Sequence, residues 1–238
     1  MRMSNLPVVA VISFPGSNGD RDAVHAFNTG LDVRSELVDY RITDLDGYAA
    51  LVLPGGFSYG DYLRSGAIAR FAPAMAAVRR FADRGGPVLG ICNGFQVLTE
   101  AHLLPGALLR NATLKFHCHW THIKIEQTNT VWTSNLTVGE TLRLPVAHGD
   151  GCYFADAETL ARLEQTGRVV ARYVSQSGER TDEANANGSV NSIAAIANDE
   201  GNVVGLMPHP ERATEALTGG DDGLRLLQSV LHALSVPA

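Results

Sequence analysis

Cysteine is scarce in this chain. Three in 238 residues, Cys92, Cys118 and Cys152, are too few and too odd a number for a disulfide framework. A reducing compartment is expected, with room for a reactive thiol. Basic charge is not concentrated anywhere: 19 Lys and Arg stand against 25 Asp and Glu, for a net charge of −6. Without a positive stripe, nucleic acid is excluded as a main partner. No apolar run approaches the roughly 20 residues of a membrane span. The apolar stretch from Val8 to Phe14 meets a Pro-Gly turn at once. That is too short for a leader peptide, and a cytoplasmic location is expected. Linkers, repeats and low-complexity tracts are also missing. What is there, 45% hydrophobic and 18% charged residues, suits one domain over residues 1–238.

The apolar pattern of the first half alternates strands and helices. Val8–Phe14, Val33–Val38, Ala49–Leu53 and Val88–Ile91 read as strands. Helices are expected from Arg21 to about Thr29, with Asp20 as N-cap and Gly30 as terminator, from Gly66 to Asp83, and from Asn93 to about His102. Such alternation implies an α/β fold, a mostly parallel sheet with helices on both faces, whose ligands bind beyond the carboxyl ends of the strands. The second half changes character. Phe116–Glu126 and Leu142–Ala147 read as strands with no long helix between them, an antiparallel extension. A helix from Asp156 to Thr166, a strand Val169–Val174, a polar loop Ser175–Asn187, a hairpin of Val190–Ala197 with Val203–Met207, and a helix from Gly223 to Leu234 complete the reading.

The strongest chemical signal is Val88-Leu89-Gly90-Ile91-Cys92-Asn93-Gly94-Phe95-Gln96. A buried strand meets a helix through Gly-x-Cys-x-Gly, the cysteine counterpart of the nucleophile elbow. The turn exposes the sulfur at the sheet edge. The helix dipole and free N–H groups there favour the thiolate, the reactive form, and the Asn93 N–H can face a developing oxyanion. A thiol nucleophile needs a base, and the base an orienter. Met207-Pro208-His209-Pro210-Glu211-Arg212 supplies both: Pro210 holds His209 extended, and residues two apart on an extended chain share a side, so Glu211 can bond one imidazole nitrogen. If Val203–Met207 runs parallel to the other strands, His209 arrives at the edge of Cys92. Pro54-Gly55-Gly56, after another strand, lets the backbone approach a ligand closely and offers a second oxyanion donor.

Together these motifs resemble the class I (triad) glutamine amidotransferases, more narrowly the glutaminase subunits of phosphoribosylformylglycinamidine synthase. The matching stretches are FPGSNGDRDA, PGGFSYGDYLRSGAIA, GICNGFQVLTEAHLLPGAL, AHGDGCY, NANGSVNSIAAI and GNVVGLMPHPERA, in order from Phe14 to Ala213. The resemblance implies a flavodoxin-like fold. It implies a γ-glutamyl thioester on Cys92, proton relay by His209, orientation by Glu211, an oxyanion hole of the Gly56 and Asn93 N–H groups, and Gln96 on the amino-acid end of L-glutamine. It also implies that the ammonia goes to a large synthetase subunit (PurL type), joined by a small bridging subunit (PurS type). ATP and Mg are expected on that partner; this chain has no Gly-x-x-x-x-Gly-Lys-Ser/Thr loop and no cofactor is expected in it. The chain departs from the family at Gly19, where cysteine is common, at Asp150, where glutamate is common, and at Cys152.

His117, Cys118, His119 and His122 lie within six residues. On a strand, His117 and His119 face one side and Cys118 and His122 the other, so no metal site is expected. Ser17, Asn18, Asp20, Arg21 and Asp22 read as a turn and cap, or as a contact to the synthetase or the oxyanion loop. Tyr59, Asp61, Tyr62 and Arg64 read as a loop that a partner orders, or as solvated surface. A stand-alone γ-glutamyl or DJ-1/PfpI-like cysteine hydrolase would keep the elbow without the Pro-His-Pro-Glu segment. A non-catalytic assembly subunit would have no need of Cys92, His209 and Glu211 together.

Overall fold

The computed structural model describes residues 7–235; the first six residues, read above for a leader, lie outside that range. Eleven strands and five α-helices form among the described residues. Strands β1 (Val9–Ser13), β2 (Ser35–Asp39), β3 (Ala50–Leu53) and β4 (Val88–Ile91) alternate with helices α1 (Asp20–His25), α2 (Pro73–Asp83) and α3 (Asn93–Glu100). Then come β5 (Ala107–Leu109), β6 (His117–Ile125), β7 (Thr141–His148), β8 (Cys152–Phe154), α4 (Ala157–Gln165), β9 (Val169–Val174), β10 (Ile193–Ala197), β11 (Val203–Leu206) and α5 (Asp222–Ser235). Nine strands make one sheet in the order β2-β1-β3-β4-β11-β10-β9-β6-β7, and β5 pairs with β8 in a small second sheet.

The two halves of the large sheet obey different rules. From β2 to β11 every pairing is parallel, and β3, β4 and β11 are buried along their whole length, as strands covered on both faces must be. The chain steps one way from β1 to β2 and the other way from β3 to β4, so right-handed crossovers put α1 and α2 on opposite faces. From β11 to β7 every pairing is antiparallel. There β7 alternates, with Leu142, Leu144, Val146 and His148 buried and Arg143 exposed, the pattern of a sheet with one covered face.

Local chemistry explains where the boundaries differ from expectation. Asp20 is not the N-cap: Gly19 holds that position, and Asp20, first in the helix, accepts the Ser13 hydroxyl proton at 2.7 Å. The helix widens into a π-turn over Ala26–Gly30 and does end at Gly30. The stretch from Gly66 to Asp83 is not one helix. A 3₁₀ turn, Ala69–Phe71, precedes α2 because Ala72 is extended (φ −62°, ψ 145°) before Pro73 at the first helical position. Asp156, expected as the first residue of its helix, is instead the N-cap of α4, accepting the Thr159 N–H at 2.8 Å. The short β5 and β8 escaped the pattern because three residues are too few to show an alternation. No helix among the described residues is long and apolar enough to cross a membrane.

Packing ties α3 to the sheet. Phe95 is fully buried and stacks on Tyr153 at 6.0 Å. Gly205 in β11 leaves the space for it: a β-carbon there would stand 2.1 Å from the ring. Burying such a side chain contributes roughly 1.5–3 kcal/mol, and it fixes the helix whose first turn carries the elbow.

Candidate active site

Cys92 sits between β4 and α3 with φ 51° and ψ −103°, a conformation L-residues avoid. Its N–H is held by the Leu206 carbonyl at 2.8 Å, so β11 clamps the turn. The flanking glycines are steric necessities. A β-carbon on Gly90 would lie 2.8 Å from the Gly94 carbonyl, and one on Gly94 would lie 1.9 Å from the Leu53 oxygen. Strand, nucleophile and helix fit this tightly only without those two side chains. The sulfur faces the Ala147 carbonyl of β7 at 3.7 Å.

Strand β11 is parallel to β4 with Leu206 opposite Ile91. The chain after it therefore leaves at the same edge as Cys92. His209 is extended (φ −105°, ψ 90°) and 1% exposed, and its N–H is held by the Pro145 carbonyl at 2.8 Å. Its Nδ1 meets Glu211 Oε1 at 2.6 Å. The route to that contact differs from simple alternation. Pro210–Arg212 is a 3₁₀ turn opened by Pro210, and the turn, not an extended chain, returns the carboxylate to the ring. Nδ1 is thus committed to Glu211. Nε2 is buried with no hydrogen-bond partner among the described residues, on the side where Cys92 interacts with the ring. Burial opposes a charged imidazole, but Glu211 and then Cys92 outweigh it and raise the His209 pKa to about 10. This bias toward the protonated ring suits it to give a proton to a leaving group.

Glu211→Gln removes the largest raising influence, so the His209 pKa falls and the alkaline limb of any thiol reaction at Cys92 moves to lower pH. The loss of rate is expected to be roughly 10- to 100-fold, part of the roughly 10²–10⁴ that general acid–base transfer supplies. A pH profile of the variant with the same alkaline limb as wild type would contradict the role given to the carboxylate.

The Pro54–Gly56 segment crosses in front of both groups. A β-carbon on Gly55 would lie 2.7 Å from His209 Cε1 and 3.6 Å from Cys92 Cβ. The Gly55 carbonyl accepts the N–H groups of Asn18 and Gly19, each at 3.1 Å. In a trans peptide the Gly56 N–H points the opposite way, and no main-chain carbonyl among the described residues takes it. The Asn93 N–H, first of α3, is one of the unpaired donors of a helix start. The Asn93 side chain braces the loop: Oδ1 accepts from Ser58 N–H at 3.1 Å, and Nδ2 donates to Gln96 Oε1 at 2.9 Å and Asp61 Oδ1 at 3.2 Å. Gln96 Nε2 donates to the Asp150 carbonyl at 2.6 Å, and Asp150 Oδ2 accepts from Ser65 at 2.8 Å. Burial first, and then Asp150, raise the Asp61 pKa.

The loop at 17–22 is a strut to the Pro54–Gly56 segment rather than a simple turn. Arg212, given no role above, joins it to the histidine segment, reaching Asp22 at 3.0 Å, Asn18 at 3.3 Å and Glu211 at 3.9 Å. A β-carbon on Gly19 would already be 3.0 Å from Glu211 Oε1, so this departure lies against the site. Tyr59 packs edge-on to Tyr40, and Arg64 forms a two-point pair with Glu100, while Tyr62 is 75% and Leu63 90% exposed. Cys152 is half-buried, its thiol against the Gly188 carbonyl at 3.1 Å. His117 and His119 do share a face of β6, with ring centroids 5.5 Å apart. Among the described residues no three His, Cys, Asp or Glu side chains gather in a way that could hold a metal ion. Pro145 and Ala147 also reach the site through their carbonyls, and strand pattern alone carried no signal for them.

Comparison with known proteins identifies the family. A model of the CobB/CobQ-like glutamine amidotransferase domain matches residues 6–220. Phosphoribosylformylglycinamidine synthase subunit PurQ of Thermomicrobium roseum is 61% identical over 222 residues, 93% of this chain and 94% of that relative. The protein of the same name from Moorella thermoacetica is 55% identical over 221 residues, again 93% and 94%. A solved structure of PurLQS from Thermotoga maritima contains a chain 42% identical to this one, with a TM-score of 0.84, covering 97% of this chain and all of that one. The chain belongs to the glutamine amidotransferases and, within them, to the family of phosphoribosylformylglycinamidine synthase subunit PurQ.

Proposed function

We propose that this chain, as one glutamine amidotransferase domain, hydrolyses L-glutamine at Cys92 and passes the ammonia to a synthetase that converts formylglycinamide ribonucleotide to formylglycinamidine ribonucleotide in purine biosynthesis. The observation that carries the reading is the meeting of a strained elbow cysteine with a buried histidine whose other nitrogen is held by Glu211 at 2.6 Å.

The Cys92 sulfur attacks the side-chain amide carbon of glutamine, and the Gly56 and Asn93 N–H groups receive the oxyanion. His209 gives its Nε2 proton to the amide nitrogen as the C–N bond breaks, so ammonia leaves and a γ-glutamyl thioester remains. Water then gives a proton to His209 while its oxygen attacks the thioester. The C–S bond breaks, glutamate departs and the sulfur is restored. Glu211 holds the ring throughout. Gln96, already tied to Asp150 and Asn93, keeps one N–H for the amino-acid end of the substrate. ATP and Mg belong to a PurL-type partner, with a PurS-type subunit bridging; the exposed Tyr62 and Leu63 beside the oxyanion segment suit a surface that such a partner covers. A biosynthetic enzyme of this kind works in the cytoplasm.

The test uses glutamine carrying heavy nitrogen in its side-chain amide, supplied to the complete complex with ATP and formylglycinamide ribonucleotide. The label is expected in the amidine product. Product formed without label would defeat the reading.

A further inference from the structure

Asn111 stands between β5 and β6, wholly buried, and makes no hydrogen bond to Cys92, His209 or Glu211 among the described residues. We infer that Asn111 is a positioning residue for the amino-acid end of glutamine, because it folds the turn at 148–151 against which Gln96 is set. The inference rests on the glutaminase reading above and adds to it a residue that governs how tightly the substrate is held.

The Asn111 side chain works at full capacity. Its Nδ2 donates to the Lys115 and His148 carbonyls at 2.8 and 2.9 Å. Its Oδ1 accepts the Gly151 N–H at 2.9 Å and meets His148 Nδ1 at 3.0 Å. A carboxamide has two N–H donors and an oxygen with two lone pairs, and all four are taken. The orientation is forced. Carbonyls only accept and a main-chain N–H only donates, so a reversed amide would set like against like at Lys115, His148 and Gly151. The main chain adds a fifth bond, from the Asn111 N–H to the Gly149 carbonyl at 2.8 Å. Four of these five bonds grip residues 148–151.

That turn does not hold itself. No main-chain hydrogen bond closes within 148–151 among the described residues. The chain folds back so tightly that a β-carbon on Gly151 would stand 2.3 Å from the His148 ring. From the other side, Asn187 Nδ2 at 3.0 Å and the Ser189 hydroxyl at 3.3 Å reach the Gly151 carbonyl. Without Asn111, the His148 carbonyl, its Nδ1 and the Gly151 N–H lose their partner where His148 and Gly151 are buried. Buried polar groups are seldom left unpaired, so the turn shifts to satisfy them.

The shift reaches the substrate side through Asp150. Its carbonyl accepts Gln96 Nε2 at 2.6 Å and its carboxylate accepts the Ser65 hydroxyl at 2.8 Å. Gln96 then keeps only the bond from Asn93 to its Oε1, and its free N–H no longer has a fixed direction. Cys92 and His209 keep their own anchors, the Leu206 carbonyl for the first and Pro145 with Glu211 for the second. The amino-acid end of glutamine is held alike before and during the reaction. A loss there raises KM and leaves kcat in place.

The experiment compares wild type, Asn111→Ala and Asn111→Ser, each assembled with its synthetase partners. Serine keeps one hydroxyl for the four groups and leaves a smaller gap. Glutamate release is followed over a range of glutamine concentrations, with ammonium-driven synthesis as the control for assembly. Alkylation of Cys92 by iodoacetamide, which carries no amino-acid end, is followed by peptide mass. KM for glutamine is expected to rise roughly 10-fold in Asn111→Ala and about 3-fold in Asn111→Ser, with kcat and the alkylation rate within about 2-fold of wild type. A wild-type KM in either variant overturns the proposal. So does a fall in kcat or in alkylation with KM unchanged, which would place Asn111 behind the thiol instead of the substrate. Should Asn111→Ala fail to assemble, Asn111→Ser decides on the same terms. Failure of the glutaminase reading looks different: wild type itself would then release no glutamate at any glutamine concentration.

Discussion

Cys92→Ala is expected to bring glutamine-dependent synthesis below detection while synthesis driven by ammonium salts continues at the wild-type rate. In hydrolase triads, losing the nucleophile costs roughly 10⁶-fold, because binding and oxyanion donors alone cannot form the covalent intermediate. Unfolding would not explain the result. Cys92 is 4% exposed but small, and alanine occupies the same strained backbone, at φ 51°, with the same single β-carbon. Backbone strain of roughly 1–3 kcal/mol at such a position is equal in the two proteins. The turn itself is held elsewhere, by the Leu206 carbonyl and by the close packing of Gly90, Gly94 and the Leu53 oxygen. The measurement is glutamate and amidine production by the assembled complex with glutamine and then with ammonium chloride. Glutamine-dependent product from the alanine variant would remove Cys92 from the mechanism. Loss of the ammonium-driven reaction as well would show that the variant no longer docks or folds.

Much of this site was legible from sequence because short-range sterics write it there. Gly90 and Gly94 flank Cys92 because neither position has room for a β-carbon, and Pro210 next to His209 restricts the backbone directly. Such constraints act within a few residues. Convergence of Cys92 and His209 was a conditional inference, resolved by the parallel pairing of β11 with β4. What the pattern could not give is contact made by an element folded back from far along the chain. Strand β7 lies at the edge of the large sheet in pairing order, yet its Pro145 and Ala147 carbonyls reach His209 and Cys92. Nothing in an alternating strand pattern announces that curl. His148 lies just beyond the strand read from sequence, and its burial follows only from the longer β7.

Helix boundaries failed for a related reason. Asp20 has the side chain of a cap, but the Ser13 hydroxyl claims its carboxylate, a tertiary contact outranking a local preference. The 17–22 loop was ambiguous because its main task is performed by backbone: the Asn18 and Gly19 N–H groups grip the Gly55 carbonyl, and main-chain donors have no residue signature. Arg212 was overlooked beside two better-known neighbours, although one guanidinium touching Asp22, Asn18 and Glu211 links the strut to the histidine segment.

That strut makes Gly55→Ala the second large effect: kcat for glutamine hydrolysis is expected to fall roughly 10²–10³-fold, the scale of losing one oxyanion donor, with a much smaller change in KM. Gly55 does not need glycine for its backbone angles, since its φ is not positive; the constraint is space. The added methyl would sit 2.7 Å from His209 Cε1 and 3.3 Å from Nδ1, well inside van der Waals contact. The ring has nowhere to go, being 1% exposed, bonded to Glu211 through Nδ1 and anchored through its own N–H to Pro145. If the ring yields, it loses Glu211 or its alignment with the sulfur. If the segment yields, the Gly55 carbonyl leaves Asn18 and Gly19, and the Gly56 N–H turns from the oxyanion. Either displacement, on the order of 1 Å, is enough for a roughly 10²-fold loss. The substrate's amino-acid end binds elsewhere, which is why KM changes little. Steady-state kinetics in the assembled complex decide the matter, with ammonium-driven synthesis as the control for folding. A kcat close to wild type would mean that the segment does not press on the imidazole during turnover, and the oxyanion role of Gly56 would fall with it.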